Sequence, residues 1–164
     1  MDVQAEQLRD AMRLWSSGVT VVTARYNGVQ HGMTVSSFTS LSLQPPLVMV
    51  SLRSDTRTRE MIAYSRTFGV TILSAQQREV SNRFAGRIPE SANRFQGLET
   101  FTLESDVPFL RGGMAFFDCR VVATYQAGTH HLLIAQVLAV QTDETQQPLL
   151  YFNRDYRRLC DVNE

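Results

Sequence analysis

A chain of 164 residues with 43% hydrophobic content fits one compact domain carrying its own core, so a single domain over 1–164 is expected. Sixteen basic residues balance sixteen acidic ones, which excludes the electrostatic footprint of a nucleic-acid or anionic-membrane binder. No apolar run approaches the roughly 20 residues of a membrane span and no signal-peptide pattern opens the chain, so a cytoplasmic protein is expected.

Ala5, Leu8, Met12 and Trp15 recur at helical spacing among polar residues, which predicts an amphipathic helix over about 2–16 packed by one stripe. Gly18 ends it. Val19 to Ala24 is rich in β-branched residues and Tyr26-Asn27-Gly28 carries a hairpin signal, so a strand from near Gln30 pairs antiparallel with it. That second strand contains Gly32-Met33-Thr34-Val35-Ser36-Ser37-Phe38-Thr39-Ser40, in which a glycine precedes alternating hydroxyl and apolar side chains. Glycine lets a backbone pass close to a flat ligand, and hydroxyls with nearby peptide N–H groups can bind a polar one. A Ser/Thr-rich edge strand facing water fits the same residues, and the two readings stay open here.

Pro45-Pro46 breaks the chain, and Leu47 to Leu52 is apolar on both faces, which predicts a central strand covered on each side by the protein's own layers or by a partner subunit. A polar turn, Ser51 to Thr58, follows, with Asp55 or Thr56 as N-cap of a helix through Tyr64. Hydroxyls, arginines and a helix N-terminus together suit an anion. A capped helix with solvated arginines is the plainer alternative.

Phe68 to Leu73 reads as a strand, Gln76 to Ala85 as a short helix and Gly86 to Gly97 as an irregular polar segment containing Pro89. Phe101 and Leu103 suggest a brief strand, and Arg111-Gly112-Gly113 a turn. Two long strands come next: Met114 to Tyr125, with Ala115, Phe117, Cys119, Val121 and Ala123 inward, and His130 to Thr142. Pro148 to Phe152 is a last strand, and 155–164 a polar tail. Cys119 and Cys160 lack metal or redox spacing and read as free thiols, Cys119 buried. Strands separated by turns, with short helices between some of them, favour a mainly β, antiparallel barrel over a parallel α/β sheet. No GxGxxG opens a helix after a strand. No Ser-His-Asp order, paired-carboxylate site or metal-ligand cluster stands out.

Taken together, Ser17-Gly18-Val19-Thr20-Val21-Val22-Thr23, the Gly32 to Phe38 stretch, Pro45-Pro46-Leu47, Ser51 with Ser54 and Thr56, and Arg83-Phe84-Ala85 form a recognisable order. Gly128-Thr129-His130, Val137, Pro148-Leu149-Leu150-Tyr151 and Tyr156-Arg157 continue it. The chain from about Met12 to Leu159 resembles the short-chain flavin reductase family, reductase components of two-component flavin-dependent monooxygenases. The resemblance implies a Greek-key split β-barrel of the FMN-binding type, a homodimer, and hydride transfer from NADH or NADPH to FMN or FAD. Reduced flavin then passes to a separate monooxygenase. A non-catalytic flavin carrier or sensor, or another split-barrel flavoenzyme such as a cobalamin reductase, is the alternative.

By resemblance, Met33, Thr34, Val35, Ser36 and Ser37 meet the flavin ring, Ser51, Leu52, Arg53, Ser54 and Thr56 its phosphate side, and Phe84, Ala85 and Tyr156 the same ligand. His130 is placed at the nicotinamide as the residue of catalysis. The family usually carries an acid before that histidine, where this chain has Thr129, and His131 adds a second imidazole. A family glycine is replaced by Ala135. Hydride transfer is the cofactors' own chemistry, so neither nucleophile nor metal is needed.

Overall fold

The computed structural model describes residues 3–87 and 93–160. In chain order the elements are α1 (Ala5–Met12), β1 (Ser17–Gly18), β2 (Thr20–Tyr26), β3 (Val29–Val35), β4 (Thr39–Leu43), β5 (Pro46–Arg53) and α2 (Arg57–Ser65). They continue with β6 (Thr67–Ile72), a 3-10 turn (Ala75–Gln77), α3 (Arg78–Phe84), β7 (Thr100–Phe101), β8 (Phe109–Leu110), β9 (Ala115–Ala127), β10 (His130–Thr142), β11 (Leu150–Phe152) and β12 (Asp155–Arg157).

Seven strands build one antiparallel sheet in the order β3-β2-β6-β9-β10-β5-β4. The hairpin at Asn27-Gly28 forms as expected, because both residues take positive φ, 49° and 76°, and the turn then matches strand twist. The edge strands β3 and β4 are consecutive in the chain, so residues 36–38 carry it from one edge of the sheet to the other. Ser37 makes the join. Its Oγ donates to Ser51 O at 2.8 Å and accepts from Ser51 N at 3.1 Å. The β4–β5 register, Thr39 opposite Met49, would place Ser37 opposite Ser51, so a side chain takes the bonds of the next ladder position. This is the split of the barrel. The stretch from Gly32 to Ser40 is therefore two strands with a crossing segment between them, not one strand.

Val22, Val48, Val50, Leu52, Phe68, Val70 and Leu133 fill the interior. Gly32 serves this packing, since a Cβ there would meet Phe84 Cε1 at 2.9 Å and Val22 O at 3.0 Å. The glycine thus admits the Phe84 ring.

Three expectations are corrected and one, for β5, is narrowed. The N-terminal helix is limited to Ala5–Met12 and buries no residue, while Trp15, beyond its end, is 71% exposed. Of its apolar stripe, Met12 and Trp15 line a cleft and Leu8 is exposed. In β5 Val48, Val50 and Leu52 are buried, and Leu47, Met49 and Ser51 on the other face are half-exposed, so the chain's own layers cover one face and cover of the other by a partner subunit stays open. The polar tail begins with β12, which pairs with β11 and puts Tyr156 opposite Tyr151. Finally, β9 buries residues on both faces, Phe116 and Asp118 as well as Cys119 and Val121, because Val107, Phe109 and the Phe101 ring cover its second face. Pro89 lies outside the described residues. Cys119 is buried, and that burial, with the Asp118 charge beside it, pushes its thiol far up. Among the described residues no helix is long and apolar enough to cross a membrane.

Candidate functional site

Most of the hydroxyls expected to face a ligand are committed to the protein's own backbone. Thr34 Oγ1 donates to Ser81 O at 2.7 Å, which ties β3 to α3. Ser37 Oγ is held by Ser51 N and O and extends the β4–β5 ladder. Ser54 Oγ donates to Thr129 O at 3.0 Å, and Thr56 Oγ1 to Arg53 O at 2.9 Å. Thr56 is the N-cap of α2 by position, yet its hydroxyl turns back and leaves the first turn uncapped. Ser36 and Ser51 remain, and both line a cleft of about 880 Å³ with Phe38, Met49 and Trp15. What this surface offers a flat polar ligand is chiefly main chain and apolar side chains.

A second cleft, about 530 Å³, lies between β3, the α2 N-terminus and the end of α3, lined by Met33, Thr34, Arg53, Thr56, Phe84 and Ala85. Sequence reasoning missed His31, Arg94 and Thr58 there. His31 is buried with Nδ1 2.8 Å from Thr58 Oγ1, and Arg94 is buried with Nη1 donating to Gly32 O at 2.9 Å and Phe84 O at 3.3 Å. His31 shares a strand face with Met33, two residues on, so its position was available from alternation. Arg94, in an irregular segment, carried no such signal.

Charge is distributed unevenly in this cleft. Arg53 is spent on Asp55, with Nη2 2.5 Å from Oδ2, and that bond holds the Asp55 carboxyl below the ordinary carboxylate range. Arg57, the first residue of α2, lines the same cleft and makes no ion pair among the described residues. An uncapped helix start beside a guanidinium suits a phosphate.

A smaller cavity of about 160 Å³ neighbours both clefts, sharing Thr34 and Ala85 with one and Ser36 with the other. Tyr156 closes its side; its hydroxyl lies 2.9 Å from Ser81 Oγ and donates to Asn82 Oδ1 at 3.1 Å, with the Arg78 guanidinium over the ring. Leu52 is fully buried in the core and lines none of these clefts, whereas Val35, nearly buried, lines the smaller cavity. His130 stands opposite Arg53 and His131 opposite Leu52, which puts the two imidazoles on opposite faces of the sheet. Thr129 Oγ1 lies 3.1 Å from His130 Nδ1, so a hydroxyl partners the ring.

Residues 12–160 match the model of the flavin reductase like domain. The chain belongs to this family. It is 40% identical over 159 residues to the NADH-dependent flavin reductase StyB of Pseudomonas fluorescens, covering 95% of this chain and 91% of that protein. It is 35% identical to the reductase component of a 4-hydroxyphenylacetate 3-monooxygenase from Thermus thermophilus, covering 94% of this chain and 96% of the other. The solved structure of the styrene monooxygenase flavin reductase from Pseudomonas putida S12 superposes with a TM-score of 0.83 at 40% identity, covering 93% of this chain and 97% of that one. The flavin reductase fold, a split antiparallel barrel, is the one built here by the seven-stranded sheet.

Proposed function

We propose that this chain is an NAD(P)H-dependent flavin reductase that takes FMN or FAD as hydride acceptor and delivers reduced flavin to a separate monooxygenase. The observation that carries the reading is a set of neighbouring clefts that share lining residues, cationic at the α2 start and lined by Ser36, Ser37, Ser51, Phe38 and Met49 at the other end. In it, Arg57 and the first turn of α2 hold the phosphate. The Ser36–Ser37 segment and Ser51 orient the ring, and Met49, Phe38 and Phe84 exclude water. Bound flavin supplies the hydride-accepting centre, and the protein supplies proximity. Steady-state oxidation of NADH and NADPH with FMN and FAD tests it. Absence of flavin-dependent oxidation in all four pairings would sink the proposal, and coupling to candidate oxygenases would identify the partner.

The carrier reading rested on the missing acid before His130. The Thr129 hydroxyl still gives that ring a polar partner, which favours the enzyme. His130→Ala is expected to lower kcat/KM for NADH about tenfold with the flavin dissociation constant unchanged. A larger loss of kcat/KM in His131→Ala would move the role to the neighbour.

We also propose a homodimer. Met49, Ile134 and Leu132 stand half-exposed on the outward face of β5 and β10, and Tyr125, opposite Leu132 on β9, is 58% exposed. Such a row suits an interface burying about 1,600 Å² in total. Light scattering at micromolar concentration should give twice the chain mass, and a monomer with flavin bound would remove the claim.

A further inference from the structure

We infer that His131 is a positioning residue for the flavin phosphate, fixing the Arg53–Thr56 loop through Ser54 without touching a ligand. The inference rests on the proposed flavin site. Four groups from separate elements meet there: Arg59 on α2, His131 at the start of β10, Ser54 between β5 and α2, and Thr129 in the turn between β9 and β10.

Arg59 Nη2 lies 3.1 Å from His131 Nε2. A guanidinium has only donors, so Nε2 accepts and the ring proton sits on Nδ1. That N–H donates to Ser54 Oγ at 3.0 Å, and the Ser54 hydroxyl proton goes on to Thr129 O at 3.0 Å. The peptide N–H of Ser54 donates to the same carbonyl at 2.9 Å. Every proton in the series has one acceptor, and the guanidinium sets the direction. Ser54 then has no proton left for a phosphate. The loop leading into α2 is instead held from behind, with Arg57 and the first turn facing the cleft.

The choice of a histidine is specific. An alkyl side chain cannot accept from Arg59, and a lysine could donate to Ser54 but not accept. Asparagine can do both, through Oδ1 and Nδ2, over a shorter reach.

The test measures the dissociation constants of FMN and of riboflavin, which has the same ring without the phosphate. Ser54→Ala, His131→Ala, the double variant and His131→Asn are compared with the unaltered protein. Each single alanine variant should weaken FMN about tenfold and leave riboflavin within about twofold. The double variant should be no worse than the weaker single one, since both break one chain, and His131→Asn should recover most of the loss. Equal losses for both flavins would show general damage to the site. Additive losses would put Ser54 in direct contact with phosphate, and unchanged FMN affinity in His131→Ala would show an idle ring. Each of these overturns the inference. Should His131→Ala fail to fold, Ser54→Ala and His131→Asn carry the same comparison between the two flavins. Failure of the unaltered protein to bind either flavin would overturn the proposed function together with this one.

Discussion

Arg57→Ala is expected to raise the FMN dissociation constant by roughly tenfold to a hundredfold, the worth of one hydrogen bond to a charged group. Three cations of the α2 cleft differ in what they have to spend. Arg53 is neutralised by Asp55, and Arg94 is buried and tied to the carbonyls of Gly32 and Phe84. Arg57 is exposed at the first position of α2, where the helix dipole adds to its own charge. Because its side chain makes no hydrogen bond or ion pair among the described residues, its removal should leave the melting temperature unchanged. Fluorescence titration with FMN and riboflavin reads the effect. An Arg57→Ala variant that binds FMN normally would place the phosphate elsewhere, and Arg53→Ala is expected to do less than Arg57→Ala.

The second large effect concerns a carboxylate that does no chemistry. Asp118 is fully buried on β9, where Oδ2 accepts from Ser105 N and Oδ1 from Ser105 Oγ, both at 2.7 Å. These two charge-assisted bonds pin the loop that carries Phe101 and Phe109 over the outer face of the strand. Asp118→Ala removes both acceptors and leaves the Ser105 N–H without its partner, a loss of roughly 3–5 kcal/mol. For a domain of this size that is a fall of about 10 °C or more in melting temperature. At a temperature where the variant remains folded, kcat should be close to that of the unaltered protein. A variant of normal stability and lost turnover would make Asp118 a functional group after all.

Asp118 also marks where the sequence could not be read. Strict alternation put Phe117, Cys119 and Val121 inward and so sent Asp118 to solvent, but periodicity reports one covered face and cannot announce a loop folded over the other. The hairpin at Asn27-Gly28, the 13-residue strands β9 and β10 and the antiparallel order were legible because local turn chemistry and period-two patterning specify them. The N-terminal stripe of Leu8, Met12 and Trp15 was a true pattern given a wrong destination, since apolar residues at helical spacing indicate that a face is to be covered and not by what. At the site, the segments were found and the atoms were not. Thr34, Ser37, Ser54 and Thr56 are polar residues in the right places, yet each donates to a backbone carbonyl, on α3, β5, the β9–β10 turn and the end of β5 respectively. A hydroxyl's partner is a tertiary fact. Opposite faces for His130 and His131 followed from alternation alone, whereas the Arg59 contact required the helix to be laid against the strand.

The Ser37 hydroxyl that completes the β4–β5 ladder has a consequence for which substitutions residues 36–38 can accept. A ligand met at residues 36–38 by peptide groups is met by the part of the chain that every amino acid except proline shares. Most exchanges at Ser36 or Phe38 therefore keep the backbone hydrogen-bonding pattern and alter only the shape of the surroundings. Ser37 is bound by a stricter rule. It must both give and take one hydrogen bond within a single short reach, so threonine is the replacement that preserves the junction, and the least conspicuous serine of the motif is the one with the least freedom to change.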